Sequence, residues 1–224
     1  MKVQDHYGAY VRGGGDGLTV LQDRARALGY QKASDDIDSS DPFKRVPSDL
    51  LSDSSLFQVS CGSGCPLRLD AAKITPEDRL VVDLGCGAGH DILLAAAILL
   101  SHSEHDKAEP SKAIGLDLTS EMIGAANENI RRYPHLKPKT EFIQADFSDG
   151  EAEFVNEYES KVDLVISNGV LNLCRDKQQA FNIAFRLLRP GGRMVFSDVM
   201  KLNPKDVDPE ATIATSINGD VFSS

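Results

Sequence analysis

Residues Val81 to Asp91 read Val-Val-Asp-Leu-Gly-Cys-Gly-Ala-Gly-His-Asp, and no other stretch constrains the fold as much. A short apolar strand, Arg79 to Leu84, runs into a Gly-x-Gly-x-Gly turn. A strongly apolar segment, Asp91 to Leu100, follows with the length of a buried helix. Glycines let a backbone turn sharply and a ligand approach it closely, because no Cβ intervenes. In open α/β sheets that ligand lies outside the carboxyl ends of the strands. A glycine motif alone says little; in a strand–turn–helix context it points to a bound cofactor.

Beyond this unit the pattern keeps alternating. Ala113 to Leu118, Thr140 to Ala145, Val162 to Ser167 and Arg193 to Val199 read as further strands. Ser120 to Tyr133 has helical spacing with Thr119 or Ser120 as N-cap, and Asp176 to Leu188 is a helix closed by Pro190-Gly191-Gly192. Short apolar strands separated by helices mean a mostly parallel sheet with helices on both faces. The expected fold is therefore α/β, a Rossmann-like doubly wound sheet.

The first 60 residues read differently. Asp16 to Leu28 has helical spacing after the flexible Gly13-Gly14-Gly15, and Ala33 to Asp53, rich in Ser and Asp, reads as a linker. Cys61-Gly-Ser-Gly-Cys65-Pro66 is a second tight turn. Ser101 to Lys112 is a polar insertion. Its His102 and His105 read as solvated surface rather than metal ligands, because no third ligand sits in a fixed context.

The net charge of −10 argues against a nucleic-acid partner, whose phosphates select basic surfaces. We read the acidity as serving solubility, and the partner as a small molecule. No run of 18 apolar residues or signal-peptide core is present, so no membrane association and a cytoplasmic location are expected. The four cysteines, Cys61, Cys65, Cys86 and Cys174, are too scattered for a disulfide scaffold. Oligomeric state is not legible.

Acidic residues decide which cofactor suits the turn. Asp83 precedes the first glycine by two positions, where its carboxylate would repel a pyrophosphate. S-adenosylmethionine carries no phosphate but has a sulfonium and an ammonium, so it suits acidic surroundings. Asp117 ends the next strand and is placed to accept both ribose hydroxyls; Asp146 follows the third strand and is placed to accept from the adenine amino group. Each alone could be a turn-former, but the three fall in register on successive strand ends. Asp117 is expected to be solvated, so removing it should cost cofactor binding and little stability. A nicotinamide-dependent oxidoreductase fits less well. The spacing from Gly89 to Asp117 exceeds the roughly 20 positions of the dinucleotide fingerprint, and Asp83 is the stronger objection.

This succession resembles the class I methyltransferases. Ser167-Asn-Gly-Val-Leu-Asn172-Leu-Cys-Arg-Asp176-Lys-Gln-Gln179 and Phe185-Arg-Leu-Leu-Arg-Pro-Gly-Gly192-Arg-Met-Val-Phe-Ser-Asp198-Val look like the arsenite methyltransferases. So do Asp5-His-Tyr7-Gly8, the Ser60-to-Pro66 turn and Asp117-Leu-Thr119-Ser-Glu-Met122. The resemblance implies that Tyr7 and Gly8 lie on a lid over the cofactor. It implies that Asp83, Gly85, Cys86, Gly87 and Gly89 form the methionine-side loop, and that Asp117, Leu118 and Met122 hold ribose and adenine. Asp146 and Phe147 bracket the base, and Asn168 faces the methionine end. It divides the chain into a helical lid and linker (1–55), a cofactor-binding domain (56–202) and the start of a substrate region (203–224). It also implies a sheet that continues past the fifth strand, so the chain is expected to be truncated.

The family holds trivalent arsenic by cysteine thiolates, soft ligands for a soft centre. At its three expected thiol positions this chain has Ser63, Gly169 and Asn218. Cys61, Cys65 and Cys174 fall in the same loops and are the remaining candidate thiols. Cys86, inside the glycine turn, reads as structural. The expected function is a small-molecule methyltransferase, arsenite methyltransferase-like, with weak or absent arsenite methylation. The alternative is a cofactor-binding pseudoenzyme or regulatory subunit.

Overall fold

The alternation of apolar runs folds as five parallel strands. The computed structural model describes residues 74–103, 111–147 and 153–198. Strands β1 (Leu80–Leu84), β2 (Lys112–Asp117), β3 (Thr140–Gln144), β4 (Val162–Asn168) and β5 (Leu188–Ser197) alternate with helices. These are α1 (His90–Ser103), α2 (Ser120–Arg131), α3 (Glu153–Glu157) and α4 (Lys177–Leu187). The sheet order is β3-β2-β1-β4-β5 and every pairing is parallel. Chain order therefore reverses between β1 and β4, which opens a crevice at their carboxyl ends. This is the doubly wound sheet expected from the sequence. The predicted helix at Asp16 to Leu28, the linker and the Cys61-to-Pro66 turn lie outside the described residues.

Side-chain alternation sorts the core onto two faces. Val81 and Ala113 point to one face, under Ile92, Leu93, Ala96 and Leu99 of α1. Val82, Leu84, Ile114 and Leu116 point to the other, against Phe154, Ile183, Ala184 and Leu187. α1 is apolar all round and touches β1, β2 and β3, so Ile92 through Leu99 are fully buried. Each such Leu or Ile contributes about 1.5–3 kcal/mol of transfer free energy.

α4 begins where the sequence placed it. Asp176 is its N-cap, and the carboxylate accepts from the Gln179 N–H at 2.9 Å. Its end differs from expectation. Pro190-Gly191-Gly192 does not close the helix; the chain turns at Leu188 and enters β5 directly. Leu188 pairs with Val162 and Arg193 with Leu164, so residues 189–192 form a wide bulge. Gly192 must be glycine there, because a Cβ would stand 2.8 Å from the Val162 carbonyl oxygen. The bulge lets Arg189 reach the buried Asp163, whose other oxygen accepts from the Arg79 and Leu80 N–H groups. α3 was not foreseen, being too short to show a period.

Candidate functional site

β1 ends at the crevice, and the turn that follows is held by its neighbours. The Gly85 and Cys86 N–H groups both donate to the Leu116 carbonyl at the end of β2, at 2.9 and 2.8 Å. Gly85, Gly87 and Gly89 all have positive φ, the left-handed region that side chains disfavour. Their surroundings differ. A Cβ on Gly85 would lie 2.4 Å from Val170, and one on Gly89 would lie 2.6 Å from Phe142; a Cβ on Gly87 would meet nothing within 4 Å. The outer two glycines permit close packing, and the middle one borders open space.

Asp117 closes the turn. Its Oδ2 accepts from the Gly87 N–H at 2.9 Å, and its Oδ1 accepts from the Thr119 N–H at 2.9 Å and hydroxyl at 2.8 Å. The expectation of a solvated strand-end carboxylate is thus corrected: Asp117 is half-buried and braces the glycine turn. Its acceptor capacity is only partly used, since a carboxylate offers about four lone-pair sites.

Asp83 leaves β1 on the face that α1 covers, directly opposite Gly115 of β2. It is 2% exposed, and its Oδ1 has no hydrogen-bond partner. Burial, and then the nearby carboxylates of Asp91 and Asp117, push its carboxyl well above the usual carboxylate range. Asp91, in the first turn of α1, accepts from Asn168 Nδ2 at 3.2 Å; its Oδ1 also lacks a hydrogen bond. His90 Nδ1 lies 3.4 Å from that oxygen, an ion pair only when the imidazole is charged.

The structure brings Asp83, Gly85, Cys86, Gly87, Gly89, Asp117 and Asn168 to one end of the β1–β2–β4 crevice. The Cys86 side chain is buried behind the turn, so close to Gly115 that a Cβ there would lie 2.7 Å from its sulfur. Burial pushes this thiol well up, and Cys86 offers the site only its backbone. Leu118 is half-buried, and Met122 is buried in the first turn of α2. Asp146 stands exposed beyond β3, with Phe147 buried beside it. Cys174 caps the short 3-10 turn Leu171–Leu173 beyond β4; its sulfur is 3.7 Å from the Val170 carbonyl, and burial pushes the thiol up to about 11. Tyr7, Gly8, Cys61, Cys65, Ser63 and Asn218 lie outside the described residues. Among the described residues no group of three or more His, Cys, Asp or Glu could hold a metal, and no helix is long and apolar enough to cross a membrane.

Sequence reasoning passed over Asp91, reading it only as the start of the helix Asp91 to Leu100. It also passed over Asn172, whose N–H donates to Asp198 Oδ2 at 2.9 Å while its side-chain oxygen is buried without a partner. An acid placed directly after a glycine turn was the available signal for Asp91.

A family model described as "Methyltransferase domain" matches residues 77–219. The arsenite methyltransferase of Halobacterium salinarum is 36% identical over 64% of this chain, covering 32% of that protein. That of Aquipseudomonas alcaligenes is 30% identical over 62% of this chain and 36% of its own length. The human arsenite methyltransferase is 31% identical over 65% of this chain and 35% of its own. The chain spans about a third of the length of these curated relatives.

Proposed function

Because the chain belongs to the methyltransferase-domain family, we propose that it binds S-adenosylmethionine at the glycine turn and methylates a small molecule. The observation that carries this reading is Asp83. A carboxyl that is 2% exposed with an unpartnered oxygen takes up its charge only opposite a cation, and its ionised form would repel a pyrophosphate. The residues fit the cofactor in other ways. Gly87 borders open space where a ligand can approach the backbone, and Asp117 keeps lone pairs for ribose hydroxyls. Asp146 and Phe147 flank the adenine end, and Asn168 the methionine end. Tyr7 and Gly8, which the resemblance assigns to a covering lid, lie outside the described residues.

Bound S-adenosylmethionine would supply a methyl group already activated by its sulfonium. The protein's task is then proximity and in-line orientation, with no dedicated base if the acceptor is a sulfur or arsenic lone pair. The relatives are named for arsenite, but the described half of this site offers no thiolate. Cys174 stays protonated at neutral pH, Cys86 lies behind the turn, and Gly169 replaces an expected thiol. We therefore read the acceptor as a small molecule other than arsenite held by three thiolates.

Calorimetry with S-adenosylmethionine, S-adenosylhomocysteine and NAD tests the cofactor. Binding of the first two and negligible heat with NAD is the expected result; comparable affinity for NAD overturns the reading.

A further inference from the structure

Two carboxylate oxygens at the turn have no donor: Asp83 Oδ1 and Asp91 Oδ1. Neither carboxylate is in water, being 2% and 8% exposed. Their meeting is built into the fold. Asp83 is next to last in β1, on the α1 face, and Asp91 stands in the first turn of α1, near enough for its carboxylate to act on Asp83. Asn168, at the end of β4, occupies Asp91 Oδ2 and leaves Oδ1 unmatched.

The surrounding groups bring little positive charge. From β2 comes Asp117, another carboxylate, committed to Gly87 and Thr119. The turn contributes the Cys86 thiol, which burial keeps neutral. β4 contributes the uncharged Asn168 and Ser167, whose hydroxyl donates to the Leu84 carbonyl at 2.8 Å. α1 contributes His90, beside Asp91 but 3.4 Å from it. Among the described residues Asp83 has no lysine or arginine partner. Neighbouring buried carboxylates do not both ionise without a cation between them.

We propose that Asp91 joins Asp83 in a receptor for the ligand's ammonium group, and that Asp83 keeps a proton while the site is empty and releases it on binding. This rests on the S-adenosylmethionine reading and adds to it a residue and a linkage. The ammonium brings its own charge and N–H donors. The O–H bond of the carboxylic acid breaks, its proton goes to solvent, and both carboxylates accept from the ammonium. A sulfonium has no N–H and cannot satisfy two orphaned acceptors. The upward displacement of the Asp83 carboxyl agrees with a proton held in the empty site. Affinity for an ammonium ligand should then fall about tenfold per pH unit below the point at which Asp83 loses its proton in the empty site.

The probe is S-adenosylhomocysteine, which has the ammonium and no sulfonium. Calorimetry at pH 7 in two buffers of different ionisation enthalpy counts the protons exchanged. About one proton released per ligand is expected. Asp83→Asn should abolish the release, Asp91→Asn should diminish it, and both should weaken binding tenfold or more; Asp91→Glu should restore part of the binding. Binding of S-adenosylhomocysteine with no proton released overturns the proposal. So does release that persists in both asparagine variants, which would place the proton on the ligand. Failure of both S-adenosylmethionine and S-adenosylhomocysteine to bind is a different result, and it removes the cofactor reading itself.

Discussion

The Gly87 N–H donates to Asp117 Oδ2 at 2.9 Å, so a strand-end carboxylate of β2 fastens the loop that follows β1. One side chain thus shapes the cofactor turn and lines it. Asp117→Ala should weaken S-adenosylmethionine by about 1.5–3 kcal/mol, the range for hydrogen bonds to a charged group. It should also lower stability by roughly 1–3 kcal/mol, because the Gly87 and Thr119 donors lose their acceptor. Paired calorimetry and urea titrations check this; weakened binding with undiminished stability would argue against the brace.

The glycines of the turn should separate into two kinds. Gly85→Ala meets Val170 at 2.4 Å and should cost roughly 1–3 kcal/mol of stability, as overpacking does. Gly87→Ala meets nothing and should cost only about 1–2 kcal/mol of left-handed strain, while disturbing ligand approach. Thermal melts with and without S-adenosylhomocysteine distinguish them. Equal loss of ligand stabilisation in both variants would contradict the assignment of Gly87 to the open face.

Asp83 and Asp78 should respond to pH in opposite senses. Asp83 is raised in the folded state, so the stability it contributes is full below the unfolded carboxylate value near 4 and is lost as pH rises through the folded value. Asp83→Asn should therefore stabilise the ligand-free protein at pH 8 by on the order of 1–3 kcal/mol and make little difference at pH 4. A variant that is less stable than the parent at pH 8 would refute this.

At the other end of the sheet Arg193 grips Asp78 with two hydrogen bonds, at 2.9 and 2.8 Å, and the Thr75 N–H adds a third at 2.7 Å. Burial pulls this carboxyl up, but the hydrogen bonds together hold it below its ordinary value. Its contribution is present above the unfolded value and lost as pH falls through the folded one. Arg193→Ala strands a carboxylate that is 3% exposed and should cost about 3–5 kcal/mol at pH 7. Denaturant midpoints at pH 7 and pH 3 should show the penalty shrinking in acid; a constant penalty would contradict the pairing.

Arsenite methylation by the parent should be weak or absent. With its thiol pushed up to about 11, Cys174 should alkylate slowly at pH 7 and faster as pH rises, and Cys174→Ala should leave cofactor binding unchanged. Ser63→Cys with Gly169→Cys should raise arsenite affinity more than either alone, since chelation needs both thiols. Gly169 has a φ of 68°, so its replacement carries about 1–2 kcal/mol of strain that the sequence did not foretell. Robust arsenite turnover by a Cys61→Ser, Cys65→Ser, Cys174→Ser triple variant would show that the acceptor site is misread.

The sequence alone determined the alternation of strands and helices, the glycine turn, and the preference for a cationic over a phosphorylated cofactor. Those properties are local. They rest on apolar periodicity, on glycine's missing Cβ, and on acids at fixed offsets from strand ends. Only the tertiary structure decided what the acids do. Asp117 looked solvated, yet it braces Gly87 across the β1–β2 boundary. Asp91 read only as the start of a helix, yet its carboxylate accepts from Asn168 of β4 and lies near enough to act on Asp83. Val170 and Phe142 explain Gly85 and Gly89, although neither lies near them in the chain. Likewise β5 begins at Leu188 because Val162 pairs with it, and no signal in Leu-Arg-Pro-Gly-Gly announces that partner. Burial and hydrogen-bond partnership depend on which strands become neighbours, and order along the chain does not specify neighbours across a sheet.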